Sequence, residues 1–107
     1  MMKENRSQKV YPNGDKSWFK DGALDREDGP AVEHANGDQY WYRNGMCHRE
    51  DGPAVVWTNG RREWYQFDKL HRLDGPAVEY GDGEKEWYIE GEELSEEEFN
   101  ARIGTLV

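Results

Sequence analysis

Aromatic and β-branched residues recur along this chain at one fixed interval. Tryptophan returns every 23 residues, at Trp18, Trp41, Trp64 and Trp87. The segment Asp-Gly-Pro-Ala-Val, which ends in two apolar residues, has the same period and begins at Asp28, Asp51 and Asp74. A period of this length is typical of repeat proteins, in which each unit buries its apolar surface only against its neighbours.

A turn signal precedes each of the last three periodic tryptophans, Trp41, Trp64 and Trp87, at Asn36-Gly37, Asn59-Gly60 and Asp82-Gly83. Such pairs favour a two-residue type I′ turn, because both of its central residues need a positive φ. Each unit is therefore predicted to be a β-hairpin. With residues 59–60 as the turn, Val55 is expected opposite Trp64, a favourable cross-strand pair that the neighbouring units repeat.

Side chains alternate between the two faces of a strand, so Trp41 and Tyr42 are expected on opposite faces. This predicts one face with Val and Trp and another with Ala and Tyr, in a sheet that curls. The expected fold is all-β, a curved antiparallel sheet of four tandem 23-residue β-hairpin repeats in a single domain, 1–107. The hairpin units are expected at about 9–27, 28–50, 51–73 and 74–94.

A short capping helix is expected at about 96–103. Ser95 and Glu98 have the spacing of a capping box, and Leu94 with Phe99 forms the matching hydrophobic staple. The glycine that follows is expected to stop the helix. The predicted apolar face consists of Phe99, Ile103 and Leu106.

Composition adds an acidic charge and an aromatic core. The chain has 107 residues, five Trp, six Tyr and a formal net charge of −9. Its low content of aliphatic residues is typical of disordered chains, but the regularly spaced aromatic residues favour a folded domain. Segment 74–107 contains two basic and eleven acidic residues, so one end of the molecule is strongly acidic. The polar start, the lack of an apolar span and the single cysteine predict a cytoplasmic protein.

The periodic polar residues are interpreted as structural. His48 and His71 have the types of metal ligands or general bases, but no nucleophile shares their period. Arg49 and Asp51 fit either a clamp for an anion or a salt bridge that braces the Asp-Gly-Pro corner, and the salt bridge is favoured. No catalytic residue, metal ligand or cofactor is predicted.

Two residues depart from the repeat. Cys47 aligns with apolar positions and is expected to be a buried small hydrophobe and not a reactive thiol. Trp57 replaces His34 and Tyr80 near the hairpin tip, where it serves either as core or as an exposed anchor for a partner.

The pattern Gly-x-x-x-Trp-Tyr-x-x-Gly-x-x-His-Arg is formed by Gly37, Trp41, Tyr42, Gly45, His48 and Arg49. Over residues 10–95 the chain resembles the MORN repeat, in the Asp-Gly-Pro-Ala variant common in bacteriophage, giant-virus and bacterial proteins. It differs from the usual His-Gly-x-Gly at 48–51 and 71–74. The resemblance implies a curved antiparallel sheet that binds proteins or lipid headgroups, without catalytic residues. The acidity disfavours anionic membranes.

The leading hypothesis is a non-enzymatic protein-binding module whose partner has a basic surface. By family analogy it is a phage-encoded inhibitor of a host defence factor. The candidate partner-binding residues are Trp57, Glu79, Asp82, Glu84, Glu86, Glu90, Glu92 and Glu93. A solvated acidic cap that serves solubility is the simpler alternative. A second hypothesis is that the chain, as an oligomer, binds or sequesters a nucleotide or sugar in an aromatic groove. Direct nucleic-acid binding is disfavoured by the charge.

Overall fold

The computed structural model describes residues 4–106, which form short β-strands followed by one α-helix. The strands are β1 Arg6–Val10, β2 Lys16–Lys20, β3 Ala23–Leu24, β4 Val32–Glu33, β5 Gln39–Tyr40, β6 Tyr42–Arg43, β7 Met46–Cys47, β8 Val55–Val56, β9 Arg62–Glu63, β10 Tyr65–Gln66, β11 Lys69–Leu70, β12 Val78–Glu79, β13 Lys85–Ile89 and β14 Glu92–Leu94. The helix, α1, spans Glu96–Leu106.

Ten strands form one open antiparallel sheet in the order β1-β2-β4-β5-β8-β9-β12-β13-β14, with β3 paired to β2. Strands β6 and β7 form a separate ribbon, as do β10 and β11. The shortest principal dimension is 18 Å, so the molecule is a single layer whose repeats pack side by side. The predicted all-β fold of curved hairpin repeats with a C-terminal helix is confirmed.

The turn between the two main strands of each repeat has three residues instead of the two predicted. In the third repeat the Trp57 N–H donates to the Arg61 carbonyl at 2.9 Å, and the Gly60 N–H donates to the Trp57 carbonyl at 3.1 Å. Gly60 has a φ of 93°, whereas Asn59 stays outside the left-handed region. This is a type I turn followed by a left-handed bulge residue. The type I′ turn predicted at 59–60 is wrong.

The longer loop shifts the register by one residue. Val55 lies opposite Glu63 and not opposite Trp64. The equivalent pairs in the neighbouring repeats are Val32 with Tyr40 and Val78 with Glu86. Because a slip of one residue moves side chains to the other face of a strand, the predicted faces are also exchanged.

The sheet has two chemically different faces. The tyrosine face carries Val32, Val55, Val78, Phe19, Tyr42, Tyr65 and Tyr88. The tryptophan face carries Ala31, Ala54, Ala77, Trp18, Trp41, Trp64 and Trp87. All three alanines are completely buried, and the tryptophan N–H of one repeat donates to the alanine carbonyl of the next. The prediction that Val shares a face with Trp, and Ala with Tyr, is wrong.

Two-residue turns with both φ values positive lie at the opposite end of the hairpins, at Asp21-Gly22, Asn44-Gly45, Phe67-Asp68 and Glu90-Gly91. The preceding repeat supports three of them from the side. His48 Nδ1 accepts the Phe67 N–H at 3.1 Å, and His71 Nδ1 accepts the Glu90 N–H at 2.9 Å. The carboxylate of Asp25 holds the equivalent turn of the second repeat. The histidines therefore connect neighbouring repeats.

Each Asp-Gly-Pro corner is braced by an arginine. The Arg49 guanidinium lies 4.0 Å from the centre of the Trp41 ring, and its Nε donates to Asp51 at 3.2 Å. Its Nη1 donates to the Pro53 carbonyl at 3.0 Å. Arg26 and Arg72 repeat these contacts in the first and third corners. The salt bridge predicted to brace the corner is confirmed.

Glycine in these corners leaves room for the arginine to pack against its backbone. A Cβ at position 52 would lie 2.9 Å from Arg49 Cζ. We expect Gly52→Ala to displace the guanidinium and lower the free energy of unfolding by about 1 to 2 kcal/mol. In urea unfolding, Gly104→Ala is the control, since its Cβ meets nothing within 4 Å and alanine favours a helix. Equal effects of the two substitutions would contradict this interpretation.

The helix begins as predicted and ends later. The Ser95 hydroxyl accepts the Glu98 N–H at 3.1 Å, and the Glu98 carboxylate accepts the Ser95 N–H at 2.9 Å, which confirms the capping box. Leu94 and Phe99 are buried, and α1 packs on β13 and β14. The predicted end at 103 is wrong, because Gly104 lacks the left-handed φ of a helix stop. The predicted apolar contact of the Leu106 side chain lies outside the described part of the chain.

Candidate protein-binding surface

The candidate carboxylates of the last repeat do not form one surface. Glu84 and Glu86 lie on the tyrosine face, next to the strand that carries Tyr80. Glu93 lies opposite Tyr88 on the same face. Glu79, in contrast, lies on the tryptophan face, where its carboxylate accepts a hydrogen bond from Arg72 at 3.2 Å.

The remaining candidates lie at the turns and beside the helix. Asp82 belongs to a three-residue turn, where its carboxylate accepts the Glu84 N–H at 3.0 Å. Glu90 lies in the type I′ turn at the other end of β13. Glu92 forms a 3.1 Å ion pair with Arg102. The acidic end thus presents carboxylates in several directions.

The ion pairs of the chain are distributed unevenly. Most carboxylates of the first three repeats have an Arg or Lys partner within 4.0 Å, as Asp28, Asp51 and Glu63 do. Among residues 74–98, which all lie in the described chain, only Asp74, Glu79 and Glu92 have such a partner. Free negative charge therefore accumulates at one end of the sheet.

Trp57 belongs to a row of aromatic rings on the tyrosine face. Its ring meets Tyr40 edge to face at a centroid distance of 6.0 Å. The Arg61 guanidinium lies 5.0 Å from the Trp57 ring and 4.9 Å from the Tyr80 ring, between the two. Trp57 is half-buried, so it packs in this row and still reaches the surface. The row places Trp57 on the same face as Glu84.

A buried carboxylate, that of Glu63, forms hydrogen bonds with side chains on the same face. Glu63 is 5% exposed and accepts hydrogen bonds from Arg61 and from the Tyr65 hydroxyl. Burial and this carboxylate raise the pKa of Tyr65. Burial, followed by the hydrogen bond with Glu86, likewise raises the pKa of Tyr80. Both phenols therefore stay protonated at neutral pH.

The tryptophan face contains two clefts of about 670 and 620 Å³ between successive corners. Trp41 lines the first cleft and Trp64 the second, each with arginines of two corners. In both cases a guanidinium already lies 3.9 to 4.0 Å from the ring centre. A nucleotide base or sugar that stacked on the same side of the ring would have to displace that arginine, so these clefts do not favour the small-ligand hypothesis.

Cys47 is placed as its alignment predicted. Its side chain is buried in a cluster with Ala54 and Val55. Burial, with a smaller effect of nearby Asp68 and Glu63, raises the pKa of the thiol to about 12. The thiol therefore stays protonated at neutral pH, which makes it a poor nucleophile.

Three residues with unusual surroundings were not among the functional residues predicted from the sequence. Asp25 is fully buried and interacts with several basic side chains. Phe67 and Leu73 are exposed apolar residues on the third repeat. The signal was available, because each of the three differs in chemical type from its equivalents one repeat away.

No protein-family model, curated protein or solved structure matches this chain. In the described residues, no helix has the length and apolar character needed to cross a membrane. Residues 4–106 also contain no group of three or more His, Cys, Asp or Glu side chains arranged to hold a metal ion.

Proposed function

We propose that this chain is a non-enzymatic protein-binding module whose partner has a basic surface. The proposed contact is the C-terminal part of the tyrosine face, where Trp57, Tyr80, Glu84 and Glu86 lie together, with Glu90 at the adjoining turn. The observation that carries the proposal is the accumulation of carboxylates without a basic partner beside half-buried aromatic rings. Aromatic anchors bordered by charge are typical of protein interfaces.

The proposal includes the resemblance to MORN repeats. In the described chain it is supported by hairpins that stack at one period into a single-layer sheet. The phage and host-defence hypothesis depends on the same resemblance and identifies the basic partner as a host defence factor. A lysate of the host is therefore the appropriate source of partners.

We expect the double variant Glu84→Lys/Glu90→Lys to bind the partner about tenfold more weakly, chiefly through slower association, because electrostatic attraction becomes repulsion. The control is Asp21→Lys/Glu27→Lys, which changes the net charge equally at exposed positions of the first repeat. Partners are captured from lysate on each immobilised variant at about 0.1 M and 1 M salt, since screening weakens charge attraction at the higher concentration.

The outcome distinguishes three explanations. Equal losses in the two double variants would indicate a bulk charge effect. Capture that persists in 1 M salt and in both double variants, but is lost in Trp57→Ala, would place the site on the aromatic row alone. If no captured protein depends on Glu84 or Glu90 for binding, the acidic end is only a solvated cap.

A further inference from the structure

The third repeat breaks the pattern of the chain at two exposed positions. Phe67 is the first residue of its type I′ turn, where the other repeats have Asp21, Asn44 and Glu90. Leu73 precedes the aspartate of its corner, where the two preceding repeats have Glu27 and Glu50. Phe67 is 60% exposed and Leu73 is 45% exposed. Two polar surface positions of the repeat have thus become apolar in one unit.

The backbone at Phe67 is unfavourable for this residue type. Its φ is 47°, and Asp68 after it has a φ of 69°. Non-glycine residues in this region are mostly Asn or Asp, and a bulky side chain there is strained. One side of the ring lies against His48, with ring centres 4.3 Å apart. Asparagine, which Asn44 provides in the second repeat, fits the turn better, so the turn itself does not account for phenylalanine.

Phe67 and Leu73 border connected depressions of the surface. A hollow of about 300 Å³ is lined by Phe67, Gln66, Lys69, His71 and Glu90. Gln66 and His71 also line the 620 Å³ cleft that contains Leu73. Glu90 is exposed and forms no ion pair within the described chain. The apolar side chains, the free carboxylate of Glu90 and the ammonium group of Lys69 therefore line adjoining parts of the surface.

We infer that Phe67 and Leu73 form the apolar anchor of a protein-binding site whose partner contributes an apolar side chain surrounded by basic residues. The inference extends the proposed contact beyond Glu90 and rests on the proposed function, because that function supplies the partner with a basic surface. Strained backbone conformations concentrate at functional sites, and exposed apolar groups bordered by polar ones mark interaction surfaces. The partner's apolar side chain enters the hollow between Phe67 and His71, and its basic residues face Glu90.

The test uses Phe67→Asn/Leu73→Glu, which restores the residue types of the second repeat. Peptides are selected from a random displayed library on the unaltered protein, and their affinities for each variant are measured. We expect selected peptides with an apolar residue beside Lys or Arg, and an affinity for the double variant at least about tenfold lower. We also expect an equal or higher urea midpoint for Phe67→Asn, because the turn loses its strain. Val10→Ser is the control, since Val10 is 61% exposed on the distant strand β1, and it should bind the peptides unchanged.

Three results would overturn the inference. A lower urea midpoint for Phe67→Asn would show that the ring is needed to cover His48. Undiminished peptide binding by the double variant would exclude the anchor, and the proposed function would stand if Glu84→Lys/Glu90→Lys still lost its lysate partner. A dimer in sedimentation equilibrium that Phe67→Asn/Leu73→Glu dissociates would identify a second copy of the chain as the occupant in place of a basic protein.

Discussion

Replacing Trp64 with Ala is expected to lower the free energy of unfolding by about 3 kcal/mol, the lower part of the range for a large aromatic residue in a core. The Trp64 ring is half-buried on the tryptophan face, with the Arg72 guanidinium 3.9 Å from its centre. Its backbone N–H donates to the Ala77 carbonyl at 2.8 Å and so links the third repeat to the fourth. In a single-layer sheet no second layer can fill the gap that the substitution leaves.

Urea unfolding of a double-mutant cycle separates ring burial from the stacked arginine. Arg72→Ala alone should cost less than Trp64→Ala, because it retains the ring. The coupling energy of the two substitutions should be about 1 kcal/mol, as expected for a partly desolvated cation over an indole ring. A total loss below about 1 kcal/mol in Trp64→Ala would show that the tryptophan face contributes little to folding.

The architecture could be predicted from the sequence because the repeat states the same local preference several times. The period specified the number of hairpins, and the spacing of Ser95 and Glu98 specified the start of the helix. Both signals depend on contacts close in sequence, as the reciprocal hydrogen bonds of the capping box show. Local chemistry of this kind can be interpreted without knowing the tertiary structure.

The register was not predictable from one turn signal, because each repeat has a second turn. Asn36-Gly37 and Asn44-Gly45 are chemically identical pairs in the second repeat. The first ends a three-residue loop and the second forms the two-residue turn. The difference depends on the neighbouring repeat, since Asp15 holds the Ala35 N–H beside the first turn and Asp25 holds the Asn44 N–H beside the second. Each of these contacts joins residues that are about 20 positions apart in sequence.

The candidate site was predictable only in part for the same reason. Acidic composition located the end of the chain where carboxylates without a basic partner accumulate, but composition cannot assign a side to each carboxylate. Glu79 and Glu86 are both acidic, yet the strand alternation places them on opposite faces and Arg72 neutralises only Glu79. Phe67 and Leu73 were detectable as departures from the repeat, although their exposure became evident only in the fold.

Within the described chain, Asp25 has more basic partners than any other carboxylate of the amino-terminal repeat. Its carboxylate is completely buried and lies 3.1 Å from Arg6 Nη1, 3.8 Å from Lys20 Nζ and 3.5 Å from Arg43 Nε. It also accepts the Asn44 N–H at 2.7 Å. Burial alone would raise the pKa of Asp25, but the Asn44 and Arg6 hydrogen bonds and the nearby positive charges outweigh it, so the pKa lies below its ordinary value. Because strand β1 contributes Arg6, this carboxylate ties the first strand to the second repeat.

Asp25→Asn is accordingly expected to lower the free energy of unfolding by about 2 to 3 kcal/mol at pH 7, since the partly buried basic groups lose their counter-charge. A carboxyl whose pKa is lower in the folded state stabilises the fold above its unfolded pKa of about 3.9, and that stabilisation disappears as the pH falls through the folded pKa. The free energies of unfolding of the variant and the unaltered protein, measured in urea, should therefore converge as the pH is lowered below about 4.

Asp28→Asn is the control, because the Asp28 side chain is 87% exposed beside Arg26, and it should cost no more than about 1 kcal/mol. Equal losses for Asp25→Asn and Asp28→Asn at pH 7, or a gap that stays constant down to pH 2, would show that the buried carboxylate does not act through its charge.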